Sequence, residues 1–414
     1  MPSAPPPEHE RGRGHDMVVL EPDAEGHAEE WLRHLADFTI AQPASGTLWL
    51  VVPPELSLRL ASALPPAAAG RVRLVALDPR EQRLCLHRRL VVSAFARWFT
   101  MRRHLRRTGA RAGFFLSLDH LSLPLALGLG AGGRTVSGIL FRPSVHYREI
   151  GPYRPTWRER LRDRRKDWLY RLMLRNRTLS SVLSLDPFFV THAAAHYAAG
   201  RKVRALPDPA HPPPSRPATQ RTPDFTPQGR VGFLMFGYIS ERKGPLALLD
   251  ALALLPRQTA ARTAVMLAGR VDPALRDSLE RRRRAIAAAH PDLWLRIDDR
   301  RVGDEELNEL IRRSDVVLAP YQRFVGSSGV LLWAAREGRP VLAQDYGLVG
   351  RLTREHGLGA VADTVDPVSL ARQMACMVEQ GPANFIDRPA AQAYAAAHAP
   401  HEFAAIVMTA AAPI

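Results

Sequence analysis

Short apolar runs alternate with segments of helical period along most of the chain. In the first half, DMVVLEP (16–22), TLWLVVP (47–53), VRLVAL (72–77), GFFLSLD (113–119), LPLALGLG (123–130) and TVSGILF (135–141) are separated by patterns such as EEWLRHLADFTI and LSLRLASAL. Apolar runs alternating with helices predict parallel pairing and a doubly wound sheet. Near Leu206 the character changes. Residues 206–228 are dense in Pro and poor in apolar side chains, which predicts an extended linker. The alternation resumes with GFLMFG (232–237), AVMLAG (264–269), LWLRID (293–298), DVVLAP (315–320) and PVLAQD (340–345), predicting a second α/β domain. The organisation expected is a disordered leader over 1–15, a first domain over 16–205, the linker, a second domain over 229–380, and a helical tail over 381–414. That tail is Ala-rich, is broken at Pro400, and has the option of packing back on the first domain.

A chain of 414 residues exceeds what one hydrophobic core usually serves, and 46% apolar residues suffice for two. The net charge of +16 is local: 21 basic and five acidic side chains lie between Arg88 and Thr178, so the remainder is close to neutral. Within that patch, 154–177 interleave ten basic residues with Trp157, Leu161, Trp168, Leu169, Leu172 and Met173 near helical spacing. Such a helix suits an anionic membrane surface, or packs its stripe on the first domain. No motif that reads nucleic acid accompanies the charge, so no nucleic-acid partner is expected. Cys85 and Cys376 lie far apart in apolar surroundings, as buried thiols of a reducing compartment do. The first residues lack the apolar core of a signal peptide, and the apolar stretch 114–131 is interrupted by Asp119, His120 and Pro124. The expected location is cytoplasmic, with the option of a peripheral place on the inner face of the cell membrane.

In doubly wound sheets ligands sit beyond the carboxyl ends of the strands, so the loops there carry the candidate chemistry. After GFLMFG the turn holds Gly237, Arg242, Lys243 and Gly244 ahead of an amphipathic helix. Backbone amides at a helix start and two cations on one point make an anion site, with a diphosphate as the natural guest. Arg supplies all but three of the 57 basic residues, so Lys243 stands out. A compact ammonium enters between two phosphate oxygens where a planar guanidinium meets one face. After DVVLAP, the turn Gly326, Ser327, Ser328, Gly329 offers amides and hydroxyls to a second set of oxygens, or a simple Ser cap to the helix that follows. In the first domain Asp119 and His120 follow one strand, and Arg142 and His146 the next. Each His has three readings: general base, acceptor ligand or satisfied structural group. Gly26 and His27 sit where the first strand turns into the first helix, a place where backbone approaches a ligand. There is no GxGxxG at that turn, no P-loop and no His/Cys spacing for a metal, which argues against dehydrogenase and NTPase chemistry.

FGYISERKG (236–244), LAGR (267–270), VGDEELNELIRRSDVVLAPY (302–321) and SSGVLLWAAREGRPVLAQDYGLVG (327–350), in that order and spacing, resemble the family-4, or group 1, glycosyltransferases. The first domain matches more loosely, through EPDAEGH and LSLDPFFVTHAA. The resemblance implies a GT-B architecture, two Rossmann-like doubly wound domains facing a cleft, and a retaining, metal-independent transfer of a sugar from a nucleotide diphosphate sugar, with no cofactor. It implies Gly237, Arg242, Lys243 and Gly326–Gly329 at the donor diphosphate, and Arg270, Arg301 and Tyr321 near the donor nucleoside or sugar; Asp119, His120 and His146 are catalytic candidates from their strand-end loops. Gly26, His27 and Arg142 fall on the acceptor side. The acceptor implied is a glycan, lipid-linked molecule or other glycoconjugate, in polysaccharide or glycolipid synthesis. Two departures from the family pattern stand in the sequence. Tyr238 replaces an Arg common after the first glycine, and Val325 and Trp333 occupy the places of the family's paired glutamates. A non-catalytic sugar-nucleotide binder on the same architecture is the alternative those departures keep open; a sugar-nucleotide epimerase is a further one, for which the strand-end loops offer few carboxylates.

Overall fold

The computed structural model describes residues 16–25, 28–42, 46–65, 68, 70–141, 143–149, 155–209 and 229–411. They fall into two compact units. The first takes the described residues up to Val145, Trp157–Pro209 and the final helix from Pro400; the second takes those from His146 to Thr156 and from Gly229 to Ala399. The expected leader and most of the Pro-rich segment lie outside the described residues.

The first unit is built on seven strands: β1 (Met17–Leu20), β2 (Leu48–Val52), β3 (Val72–Ala76), β4 (Ala112–Phe115), β5 (Thr135–Leu140), β6 (Leu179–Ser184) and β7 (Val203–Ala205). Their order across the sheet is β3-β2-β1-β4-β5-β6-β7, and every pair is parallel. Both faces are covered, which is why the strands read as continuous apolar runs. Along β1, Met17 and Val19 join one core while Val18 and Leu20 join the other. The helix Pro400–Ala411 contributes to the first of these cores: Phe403 is fully buried with its ring centroid 5.0 Å from that of Trp31. Pro400 ends the preceding helix Arg388–Ala396 and starts this one, so the tail divides between the two units.

The second unit repeats the plan with β8 (Val231–Phe236), β9 (Thr263–Ala268), β10 (Trp294–Asp298), β11 (Val316–Ala319), β12 (Val341–Gln344) and β13 (Gly359–Ala362), ordered β10-β9-β8-β11-β12-β13 and all parallel. Asp-Pro pairs start several helices in both units. At Asp78, Asp186 and Asp366 the carboxylate accepts a backbone N–H of the first turn while the following Pro occupies a position whose N–H is not needed. The apolar run LPLALGLG adds no strand. Ser122–Ala126 form a short helix instead, and Gly128 turns the chain at a φ of 75°.

These orders place the functional loops. In the first unit the winding direction reverses between β1 and β4, in the second between β8 and β11. At such a reversal the loops leaving two neighbouring strands diverge to opposite faces and open a crevice at the carboxyl ends. No helix among the described residues is long and apolar enough to cross a membrane.

Candidate functional site

In the second unit the loops after β8 and β11 pack directly on each other. Glu241–Lys243 form one turn of 3-10 helix and Gly244 caps the helix Pro245–Ala253. Gly244 has a φ of 73°, and a Cβ there would stand 2.0 Å from the Pro320 carbonyl oxygen, so only Gly lets the first loop close on the second. The Gln322 N–H donates to the Arg242 carbonyl at 2.8 Å. The Arg242 guanidinium lies 4.6 Å from the Phe324 ring centroid and 5.5 Å from that of Tyr321. Tyr321 is buried, and its hydroxyl shares a 2.7 Å hydrogen bond with Ser328 Oγ. One chain of contacts thus runs Arg242, Tyr321, Ser328, joining both candidate anion loops.

Lys243 sits beneath them, only 8% exposed. Its Nζ donates to the Phe236 carbonyl at the end of β8 and lies over the Gly237 backbone, where a Cβ would come within 2.8 Å of it. Burial, with Arg242 adding like charge, pushes the ammonium down to about 8. An ammonium held in this way gains from an anion more than an exposed one does, because the anion offsets desolvation as well as repulsion. Gly326 is buried and Ser327 half-buried; Ser328 Oγ accepts the Val330 N–H at 3.4 Å, while Gly329 holds the N-cap of the short helix Val330–Arg336, without a side-chain cap. Tyr238, after Gly237, is 53% exposed. Arg270 and Arg301 are exposed too, Arg270 beside the Ile239–Val271 bridge and Arg301 in the loop before the helix Asp304–Arg313.

Val325 and Trp333 carry no charge into this site. Trp333 is buried edge-on against Phe236, with ring centroids 6.3 Å apart, and the Arg336 guanidinium lies 4.8 Å from its centroid. The Val325 Cα backs onto Gly347, whose φ is 65°.

The first unit has its own cavity at the β1/β4 reversal, of about 510 Å³, lined by Glu21, Asp23, Glu25, Trp31, Arg97, Asp119, His120 and Phe141 among others. Asp119 and His120 both reach it. Asp119 also accepts the Phe141 N–H at 2.8 Å, tying the β4 loop to the end of β5. His120 is half-buried and its imidazole is held below its usual range by burial first and by Arg97 second, so it is neutral at neutral pH and able to accept a proton. His146, on the 3-10 turn Ser144–Glu149, is grouped with the second unit, 1% exposed, its ring centroid 4.8 Å from that of Tyr147; it does not line this cavity. Gly26, His27 and Arg142 lie outside the described residues.

Glu21 and Arg97 are additions that the sequence reading did not make. Burial pushes the Glu21 carboxyl up to about 7, against lowering contributions from the Asp23 N–H and Arg97. The sequence signals were present: Glu21 directly ends an apolar strand, and Arg97 interrupts the apolar face of SAFARWF.

Residues 230–380 match the family model described as Glycosyl transferases group 1. No curated protein sequence matches the chain. Solved structures are similar in fold along almost the whole chain. A structure of WaaG, a glycosyltransferase involved in lipopolysaccharide biosynthesis, aligns with a TM-score of 0.61 at 15% identity, covering 95% of this chain and 99% of that one. An α,α-trehalose-phosphate synthase (UDP-forming) from Burkholderia vietnamiensis aligns at 0.62 and 14%, covering 96% and 99%. HepE from Anabaena, in complex with UDP and glucose, aligns at 0.57 and 14%, covering 95% and 97%. The fold is GT-B, with two Rossmann-like parallel-sheet domains.

The Glu21 environment has a measurable consequence. Its carboxyl holds a proton more tightly when folded, about 7 against 4.5, so the stability contributed by the neutral form is complete below about pH 4.5 and is lost as pH rises through 7. Glu21→Gln keeps the shape and removes the titration. Urea unfolding at both ends of that window is expected to show the variant gaining about 2–3 kcal/mol on the parent between pH 4.5 and pH 8. A difference that does not change with pH contradicts this.

Proposed function

We propose that this chain, whose residues 230–380 form a group 1 glycosyltransferase domain, transfers a hexosyl group from a nucleotide diphosphate sugar to a glycan, lipid-linked or other glycoconjugate acceptor with retention and without a metal. The observation that carries the reading is the convergence of Lys243, Arg242 and the Tyr321–Ser328 hydroxyl pair at the β8/β11 reversal of that domain. UDP and UDP-glucose occupy HepE structures of the same fold, which makes a uridine donor the first to examine.

In the transfer, the bond between the anomeric carbon and the β-phosphate oxygen breaks as the acceptor hydroxyl oxygen bonds to that carbon from the same face. Negative charge grows on the departing diphosphate. Lys243 and Arg242 stabilise it as fixed cations, in the part a divalent metal takes elsewhere. Lys243 turns its ammonium from the Phe236 carbonyl to a phosphate oxygen, and Gly237 lets that oxygen approach the backbone. The acceptor's proton leaves to the departing diphosphate oxygen. Arg270, Arg301 and Tyr321 are assigned to the nucleoside and sugar side, Asp119 to positioning in the first unit, and His146, buried away from the described cavity, to a supporting place. The uncharged Val325 and Trp333 favour a second reading, a sugar-nucleotide binder without turnover; steady release of nucleoside diphosphate separates the two.

Titration calorimetry of UDP in EDTA is the direct test. Lys243→Ala is expected to weaken binding by about tenfold to a thousandfold. Because the free ammonium titrates near 8 and a bound phosphate holds its proton, parent affinity falls above pH 8 by up to about tenfold per pH unit, while the variant lacks that step. Equal affinity in parent and variant removes Lys243 from the site.

The acceptor is assigned to a membrane surface on the strength of the helix Trp157–Arg175. Tyr170, Met173 and Leu174 bury one side of it. Trp157, Leu161 and Trp168 fall on the opposite face and are 63%, 62% and 59% exposed among arginines, which is the arrangement of an interfacial helix. The second place offered for this stripe, packing on the first domain, is thus filled by the other side of the helix. Vesicles containing phosphatidylglycerol are expected to bind the protein, less so as salt rises, and Trp157→Ser with Trp168→Ser to weaken that binding. Equal binding to neutral vesicles contradicts the assignment.

A further inference from the structure

The turn after β11 carries Tyr321 and leads to Ser328, and it is held from outside by the loops leaving β12 and β13. Tyr346, just after β12, is 7% exposed. Its hydroxyl donates to the Tyr321 carbonyl at 2.9 Å and accepts the Arg323 N–H at 2.6 Å. Thr364, after β13 and fully buried, donates to the same Tyr321 carbonyl at 2.9 Å, so both lone pairs of that oxygen are used. Gln344, the last residue of β12 and also fully buried, donates its side-chain amide to the Phe324 carbonyl. The Leu348 N–H donates to the Val325 carbonyl at 3.0 Å.

The conformation so held is one that the turn does not favour by itself. Arg323 has a φ of 50° and is the one non-Gly residue with a positive φ among the described residues. A side chain is unfavourable there because its Cβ crowds the backbone, and such a residue persists where its surroundings fix it. Here the Tyr346 oxygen fixes the backbone on the N-terminal side of Arg323, and the Gln344 amide fixes it on the C-terminal side. The turn then sets the groups of the anion site. It stands the Tyr321 and Phe324 rings against the Arg242 guanidinium, puts the Gln322 N–H on the Arg242 carbonyl, and brings the Tyr321 hydroxyl to Ser328. Tyr346 acts on Arg242 and Ser328 through this turn.

The geometry points to Tyr346 as the positioning residue of the donor loop: its hydroxyl, by bridging the Tyr321 carbonyl and the Arg323 N–H, holds Arg323 left-handed and thereby places Arg242 and Ser328 for a diphosphate. The diphosphate rests on the glycosyltransferase reading of this site; the clamp on the turn does not.

Two readouts on the full chain test it, amide hydrogen exchange of the turn and UDP affinity by calorimetry, in the parent, Tyr346→Phe, Arg323→Gly and the double variant. Tyr346→Phe removes only the oxygen, and Arg323→Gly makes the left-handed conformation favourable without it. Tyr346→Phe is expected to speed exchange over 322–326 by about tenfold and to weaken UDP binding by about tenfold; in the Arg323→Gly background the same change moves neither by more than about twofold. A role limited to stability lowers the melting temperature equally in both backgrounds and leaves the UDP affinity of the folded protein unmoved. Unchanged exchange in Tyr346→Phe, unchanged affinity where the parent binds UDP, or an equal loss in both backgrounds overturns the inference. If Tyr346→Phe alone does not fold, the comparison within the Arg323→Gly background decides, and a change there well above about twofold overturns it. A parent that does not bind UDP, with the exchange pattern intact, refutes the donor reading and leaves the clamp standing.

Discussion

A single buried ammonium sets the terms for the second unit. Lys243 Nζ donates to the Phe236 carbonyl from a position that a Cβ at Gly237 would crowd at 2.8 Å, and its loop cannot close on the Pro320 loop unless Gly244 lacks a side chain. A third close approach holds the same corner: a Cβ at Gly269 would stand 2.0 Å from the Gly237 carbonyl oxygen. The chain thus accepts three positions without packing side chains, and a desolvated cation, at one spot. Each is unfavourable for folding taken alone. Together they are what the proposed diphosphate site requires: room for an anion at the backbone, and a cation whose counter-charge that anion would supply.

The two units use one architectural device for opposite electrostatics. Each places its loops where the strand order reverses, between β1 and β4 and between β8 and β11. At β8/β11 the converging groups are cations, hydroxyls and close-approach glycines, as the proposed diphosphate site requires. At β1/β4 they are mainly carboxylates around one guanidinium and an imidazole whose basicity burial lowers.

The sequence made the architecture largely legible because parallel strands covered on both faces are unbroken apolar runs, and because Asp-Pro pairs mark helix starts. It was less informative where side-chain patterning is weak: β13 is GAVA, too small and too Gly-rich to stand out, while LPLALGLG is as apolar as a strand and forms a helix and turn. The Lys243 loop could be read because the strand, the glycine and the basic pair are contiguous. Glu21 and Arg97 could not be paired in this way. They are 76 positions apart and come to one wall only through the packing of the helix Leu90–Thr108 against β1. The faces of the helix Trp157–Arg175 were likewise undecided by spacing alone, since apolar residues lie on both; burial of Tyr170, Met173 and Leu174 assigns them.

The chain contains only three lysines, Lys166, Lys202 and Lys243, so the central claim is open to a direct reading. A pH titration of ¹³C-labelled lysine side chains by NMR, with Lys243→Met to identify the resonance, measures the ammonium itself. The account predicts a Lys243 midpoint near 8 in the free protein and a marked rise when UDP is added. A Lys243 midpoint at the ordinary value of about 10.4, unmoved by UDP, would contradict it.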